Sequence, residues 1–206
     1  MKEELIIAGF GGQGVLSMGK ILAYSGIMED KEVTWMPSYG PEMRGGTANV
    51  TVIISDKRIS SPILQWCDTA IVLNQQSMDK FEPMVKKGGL LLYDPNGISR
   101  HPVRKDIKVC SIAAADLSNR MEMSKAFNMV VLGAYLKMKP ILQKDNVIKV
   151  VKINKLGVPP LPSLRKPSRH PAVKMAKLYT ELDRTDDPTE RALIIAELDR
   201  IKNGGD

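Results

Sequence analysis

Short unbroken apolar runs, each closed by glycine or by polar residues, recur along the first half of this chain, and stretches with a helical period lie between them. Leu5-Ile6-Ile7-Ala8 has no polar partner face, which predicts a strand buried on both sides. Glycines end it before Val15-Leu16 and Ile21-Leu22 open a helical pattern. Val33-Thr34-Trp35 reads as a second strand, and the β-branched stretch Thr47–Ile54 as a third, longer one. Thr69–Leu73 and Gly89–Asp94 repeat the short apolar form, with a polar helix over Ser77–Lys87 between them that Gly88-Gly89 would terminate. A last strand over Ile107–Ile112 precedes helices at Ala113–Met121 and Ala126–Leu136. Strands alternating with helices of this length predict an α/β fold: a doubly wound, mostly parallel sheet with helices on both faces.

The character changes after residue 156. Gly157-Val158-Pro159-Pro160-Leu161-Pro162 through Pro167 and Pro171 sustains neither a helix nor a central strand, so 157–171 is read as a proline-rich linker. A helical tail, 172–206, follows: Met175, Leu178, Tyr179 and Leu182 share one stripe, and Ile194, Leu198 and Ile201 another. Asp187-Pro188-Thr189-Glu190 has the form of a helix start, with Asp as cap, Pro in the first turn and Glu reaching back. Such helices need a surface to cover, either their own domain, 1–156, or another subunit.

Charge and cysteine usage narrow the chemistry. Of the net charge of +7, most lies before residue 157, where 21 Lys and Arg face 15 acids, so anionic ligands are accommodated there. The few aromatics are not interleaved with the basic residues, and no nucleic-acid partner is expected. No signal peptide and no membrane-length apolar run is apparent, which leads to an expected cytoplasmic location. Cys67 and Cys110 stand far apart without a Cys-x-x-Cys partner, so the chain alone builds neither a zinc site nor an iron–sulfur cluster.

Two glycine-rich segments carry the candidate chemistry. Gly9, Gly11 and Gly14 fit Gly-x-Gly-x-x-Gly between a strand and a helix, where Gly12, Gln13 and the backbone N–H groups would face a phosphate; the alternative is a tight turn that lets helix and strand approach. The acid that takes a ribose in dinucleotide sites is missing, its place held by Trp35, Met36 and Pro37. Gly14–Lys20 matches the start of a P-loop, but Ile21 replaces the Ser or Thr that binds magnesium. The second segment, Met36 to Gly46, reads as a stiff loop. Pro37 and Pro41 restrict it, Gly40, Gly45 and Gly46 permit left-handed backbone, and Ser38, Tyr39, Glu42 and Arg44 are functional groups held on it. It is a docking surface or, more sharply, a loop that puts Arg44 beside a phosphate or carboxylate.

Gly9–Val15, Ser38–Gly46 and Asn128–Ala134 together resemble the gamma subunit of 2-oxoacid:ferredoxin oxidoreductases, the 2-oxoglutarate type above the pyruvate and ketoisovalerate types, over residues 3 to 150. The resemblance implies a component of a multi-subunit oxidoreductase for coenzyme A-dependent oxidative decarboxylation. Thiamine diphosphate, Mg and iron–sulfur clusters would sit in alpha, beta and ferredoxin-like delta partners, and ferredoxin would act through the complex. The chain would flank the active site and help admit coenzyme A, whose phosphates suit Gly9–Gly14 and Arg44. It lacks the Gly-Asp-Gly motif that binds thiamine diphosphate through magnesium, so by itself it is expected to be inactive. No catalytic or metal residue is assigned to it, and self-association is left open. The rival reading is a free-standing nucleotide-binding or regulatory α/β module.

The remaining candidates read as structural. His101 and His170 each adjoin a proline and belong to surface loops, Cys67 to a buried strand start, and Met121 and Met123 to packing. Asp94-Pro95-Asn96-Gly97 follows a strand end, and its turn chemistry accounts for it.

Overall fold

All residues from Glu3 to Gly9 of β1 (Lys2–Phe10) are buried, and their position explains the unbroken apolar run: β1 lies inside a six-stranded sheet with a neighbour on each side. The computed structural model describes residues 1–39, 47–154, 178–179, 181–182, 185 and 187–202. The other strands are β2 (Glu32–Tyr39), β3 (Thr47–Ser55), β4 (Cys67–Val72), β5 (Val85–Tyr93) and β6 (Lys108–Ser111), in the order β2-β3-β1-β4-β5-β6. From β1 outward through β4, β5 and β6 every pairing is parallel. On the other side, β3 is antiparallel to both β1 and β2. The sheet is thus mostly parallel, as expected, but mixed. The reason is chain length, since residues 40–46 between β2 and β3 are too few for the crossover a parallel pair requires.

The helices delimited among the described residues are α1 (Val15–Met28), α2 (Gln75–Phe81), α3 (Ala114–Arg120), α4 (Phe127–Met138), α5 (Lys144–Asn154) and α6 (Pro188–Lys202). Alternate residues of β1 serve opposite faces. Leu5 and Ile7, with Val50, Val52, Ile54 and Ile71, pack among residues of α1, α4 and α5, while Ile6 and Ala8, with Ala70 and Val72, meet Met78 and Phe81 of α2. The helices expected at Ala113–Met121 and Ala126–Leu136 are α3 and α4; α5, which packs Val147, Val150 and Val151 on the core, was not foreseen.

Four expectations need correction. The helix foreseen over Ser77–Lys87 ends at Phe81, and after a 3₁₀ turn at Glu82–Met84 the chain is already in β5. Pro83 halts the helical ladder, and Gly88, at φ +76°, sits in a bulged stretch of the strand rather than at a helix end. Second, β2 runs on to Tyr39, so Pro37 and Ser38 lie in a strand and not in a loop; Pro37 is tolerated because β2 is an edge strand. Third, Glu190 takes the Thr185 hydroxyl instead of the cap backbone. Asp187 does cap α6, accepting from the Thr189 N–H at 2.8 Å. Fourth, Met121 and Met123 are 57% and 56% exposed, so packing does not account for them.

The amino-terminal end of the sheet is closed by a polar network. Buried Glu3 accepts hydrogen bonds from Thr69 Oγ1 at 2.6 Å, from Tyr135 Oη at 3.3 Å and from Lys139 Nζ at 3.0 Å, which ties the end of α4 to β1 and β4. Beside it Lys86 joins Glu4 at 2.5 Å to Asp68 at 2.7 Å, and Asp68 also accepts from the Glu4 N–H. In the tail, Ile194, Leu198 and Ile201 of α6 pack with Leu178, Tyr179 and Leu182; Met175, His170 and the linker 157–171 lie outside the described residues.

Candidate functional site

The first glycine segment leaves the carboxyl end of β1 where the sheet divides, with α1 carrying the chain towards β2 on one side and β4 lying on the other. Ligands collect at such switch points in α/β sheets. The Gln13 N–H donates to the Phe10 carbonyl at 3.2 Å and closes a tight turn. Gly12 and Gly14 then take φ of +100° and +76°, left-handed values that β-carbons resist, and α1 begins at Val15 without a side-chain cap. Gly9 is needed for a different reason: a Cβ there would stand 2.5 Å from Gln13 Oε1.

Gln13 is drawn inward by this geometry. Its Oε1 accepts the Phe10 N–H at 2.6 Å and its Nε2 donates to the Leu73 carbonyl at 3.4 Å, while the Leu73 N–H donates to the Ala8 carbonyl at 2.9 Å. The ends of β1 and β4 are thereby stitched together. Among the described residues, no acceptor meets the backbone N–H groups of Gly11, Gly12, Gly14, Val15 or Leu16. Open donors at the positive end of a helix dipole form a site suited to an anion.

One residue at this turn escaped the site assignments from sequence. Asn128, in the first turn of α4, lays its carboxamide against Gly14 so closely that a Cβ on Gly14 would overlap it. The amide adds a donor to the same corner. Asn128 stands out only as part of Asn128–Ala134; its contact with Gly14 joins residues more than a hundred positions apart and needed the fold to appear. Next to Leu73, buried Asn74 caps α2 by accepting the Ser77 N–H at 2.7 Å, and its Nδ2 has no hydrogen-bond partner.

The second glycine segment opens at the same end of the sheet. Tyr39 is level with Ala48 of β3, and Ala48 with Gly9 of β1, so the backbone leaves β2 about 10 Å across the sheet from the turn. Ser38 is exposed there, opposite Asn49. Gly40, Pro41, Glu42, Arg44, Gly45 and Gly46 lie outside the described residues.

The P-loop-like stretch is interior to α1, where Gly19 has no room for a Cβ because Val50 Cγ1 would be 2.7 Å away. Asp94 is occupied in turn formation, accepting from Asn96 N–H and from Ala115 N–H, each at 2.9 Å. Burial, and then the charge of Asp68, push the Cys67 thiol up to about 12, which keeps it an unreactive core residue. His101 is exposed in the segment between β5 and β6. Among the described residues no group of three His, Cys, Asp or Glu side chains could hold a metal, and no helix is long and apolar enough to cross a membrane.

Comparison with known proteins agrees with this architecture. A 2-oxoglutarate synthase subunit KorC from Methanocaldococcus jannaschii is 33% identical over 154 residues, covering 73% of this chain and 82% of that one. A ketoisovalerate oxidoreductase subunit VorA from Methanothermobacter thermautotrophicus is 40% identical over 130 residues, 63% of this chain, which spans only 27% of that much longer relative. The solved keto/oxoacid ferredoxin oxidoreductase gamma subunit from Geobacter sulfurreducens superposes with a TM-score of 0.62 at 30% identity, over 72% of this chain and 84% of that one. A 2-oxoglutarate:ferredoxin oxidoreductase chain from Magnetococcus marinus shares the fold, with a TM-score of 0.67 at 18% identity, over 98% of this chain and 30% of that one. The resemblance carried by the two glycine segments is borne out, for the pyruvate ferredoxin/flavodoxin oxidoreductase family model matches residues 4–156, and the chain belongs to that family.

Proposed function

We propose that this chain is the gamma subunit of a multi-subunit 2-oxoacid:ferredoxin oxidoreductase and that its glycine turn receives the phosphates of coenzyme A. The observation that carries the reading is the set of N–H groups of Gly11, Gly12, Gly14, Val15 and Leu16, unclaimed among the described residues at the head of α1, with the Asn128 amide beside them. The backbone groups are all donors and the Asn128 amide adds its NH2, which matches a polyanion. Gln13 shapes the turn from within, Gly12 and Gly14 permit its backbone, and Arg44 would approach from the second segment.

Oxidation of the 2-oxoacid belongs to thiamine diphosphate, Mg and iron–sulfur clusters in alpha, beta and delta partners, with ferredoxin as acceptor. This chain's part is to orient coenzyme A and to wall off the reacting centre. Among 2-oxoacids we propose 2-oxoglutarate, supported by the KorC relative, whereas the VorA relative points to a branched substrate. The location would be cytoplasmic.

The test is calorimetric titration of the purified complex with coenzyme A, alongside acceptor reduction with 2-oxoglutarate, pyruvate and 2-oxoisovalerate. Arg44→Ala and Asn128→Ala should each weaken coenzyme A binding about five- to twentyfold, as loss of a charged or polar contact does. Unchanged affinity in both would remove coenzyme A from this turn, and faster turnover of either other acid would replace 2-oxoglutarate.

A further inference from the structure

We infer that the amino-terminal end of the sheet, remote from the glycine turn, is a docking platform for an acidic face of a partner subunit. The inference rests on the multi-subunit reading above and names the surface and the chemistry of its contact. Residues 56–66 join β3 to β4, which flank β1 about 10 Å apart, a gap that about three extended residues would close. The surplus chain goes to display: Ile63 is 72% and Trp66 56% exposed, on either side of half-buried Leu64, which packs on the core under α2. Residues 98–107 lead back to β6 at the same end and bring Val103 there, 70% exposed. The two segments come together around the starts of β4 and β5. Cys67, next to Trp66, pairs with Val85, whose carbonyl accepts the guanidinium of Arg104, next to Val103, at 2.6 Å.

The backbone beneath these apolar side chains is fixed. Buried Glu82 accepts the Val103 N–H at 2.6 Å, the Arg104 N–H at 2.9 Å and the Arg100 guanidinium at 2.9 Å, and Ser61 Oγ accepts the Ile63 N–H at 3.2 Å. A surface ordered beforehand loses little entropy on binding, and an exposed Trp on it is the kind of side chain that anchors a protein contact. The charges give the partner its sign. Each acid in the two segments or anchoring them is taken by a cation of this chain: Asp56 by the amino terminus and Lys31, Asp79 and Glu82 by Arg100, and Asp106 by Arg104. Lys57, Arg58 and Lys105 are exposed with no acid partner among the described residues, so positive charge rims the apolar centre. Its complement is an apolar contact rimmed by Asp and Glu. A nucleic acid would call for aromatics interleaved with the cations, and Trp66 is the one aromatic in the two segments. A partner seated here leaves the glycine turn, at the opposite end, open to coenzyme A.

The experiment purifies the complex from the native cell by a tag on the full-length chain and treats it with a carbodiimide, which joins lysine amines to carboxylates in direct contact; mass spectrometry reads the joined peptides. Lys57 or Lys105 should be joined to Asp or Glu of a partner subunit. Trp66→Ala and, separately, Lys57→Glu/Lys105→Glu should each recover that subunit at least ~10-fold less, as for the loss of an interface anchor. The unfolding midpoint of each variant chain should not move, because these side chains are exposed. Absence of such links together with full recovery by both variants overturns the platform while leaving the assembly reading intact. So do links from these lysines to a second copy of this chain, which would make the end a self-association face, and so does RNA retained by the wild type and lost from both variants while the partner stays. A wild-type chain without any thiamine-bearing partner overturns the assembly reading and this inference with it.

Discussion

At the start of β1, the carboxylates of Glu3 and Glu4 are buried and held by Thr69, Tyr135, Lys139, Lys2 and Lys86. At its end, Gln13 satisfies the Phe10 N–H, and the backbone donors of Gly11, Gly12, Gly14, Val15 and Leu16 have no acceptor among the described residues. One helix touches both places. α4 sets Asn128 against Gly14 at its first turn and Tyr135 against Glu3 near its last. The contrast shows how one strand separates stability from binding. Buried charge is tolerable where cations and hydrogen-bond donors hold it, and the backbone donors left open lie at the turn, where an anion would meet them.

The largest expected break is at the closed end. Glu3→Ala strips the acceptor from Tyr135, Thr69 and Lys139 and should cost about 3–5 kcal/mol of unfolding free energy in urea titration. A loss below about 1 kcal/mol would mean the network is not holding the sheet.

A smaller effect belongs to the open end. Gly14→Ala forces a β-carbon into the left-handed region and into the Asn128 amide, for about 1–3 kcal/mol. Adding Asn128→Gly should return at least ~0.5 kcal/mol in a double-mutant cycle; strict additivity would show that the two residues do not press on each other.

The smallest is a pH effect at the closed end. Burial alone would raise the Glu4 carboxyl, but hydrogen bonds from Lys2 and Lys86 outweigh it and hold the group below its ordinary value. Its contribution is therefore complete above the unfolded pKa of about 4.3 and fades as pH falls through the lower folded value. Lys86→Met should flatten the acid limb of a melting-temperature profile between pH 6 and 3, by about 1 kcal/mol or less given the exposure of Lys86. Parallel profiles for the two proteins would reject this origin.

Much of the fold was legible because it is local. Leu5–Ala8 announced an interior strand, the glycines announced the turn after it, and Asp187-Pro188 announced the start of α6. The misread segments share a cause. Ser77–Lys87 looked helical by composition, yet pairing of Val85 with Cys67 recruits its end into the sheet; Ser38 sat among turn residues, yet pairing with Asn49 draws it into β2. Partners supplied by distant chain override such local preferences.

The same division holds for the chemistry. The sequence by itself determined where a phosphate-sized turn occurs, that a ribose acid and a P-loop hydroxyl are missing from it, and which family its glycine segments resemble, since these depend on residue types at close spacing. Only the tertiary structure decided that Gln13 faces inward, that Asn128 completes the corner, and that the two glycine segments open at one end of the sheet. Each of those depends on residues brought together by strand register and by α4 crossing the sheet, and no pattern along the chain encodes such distances.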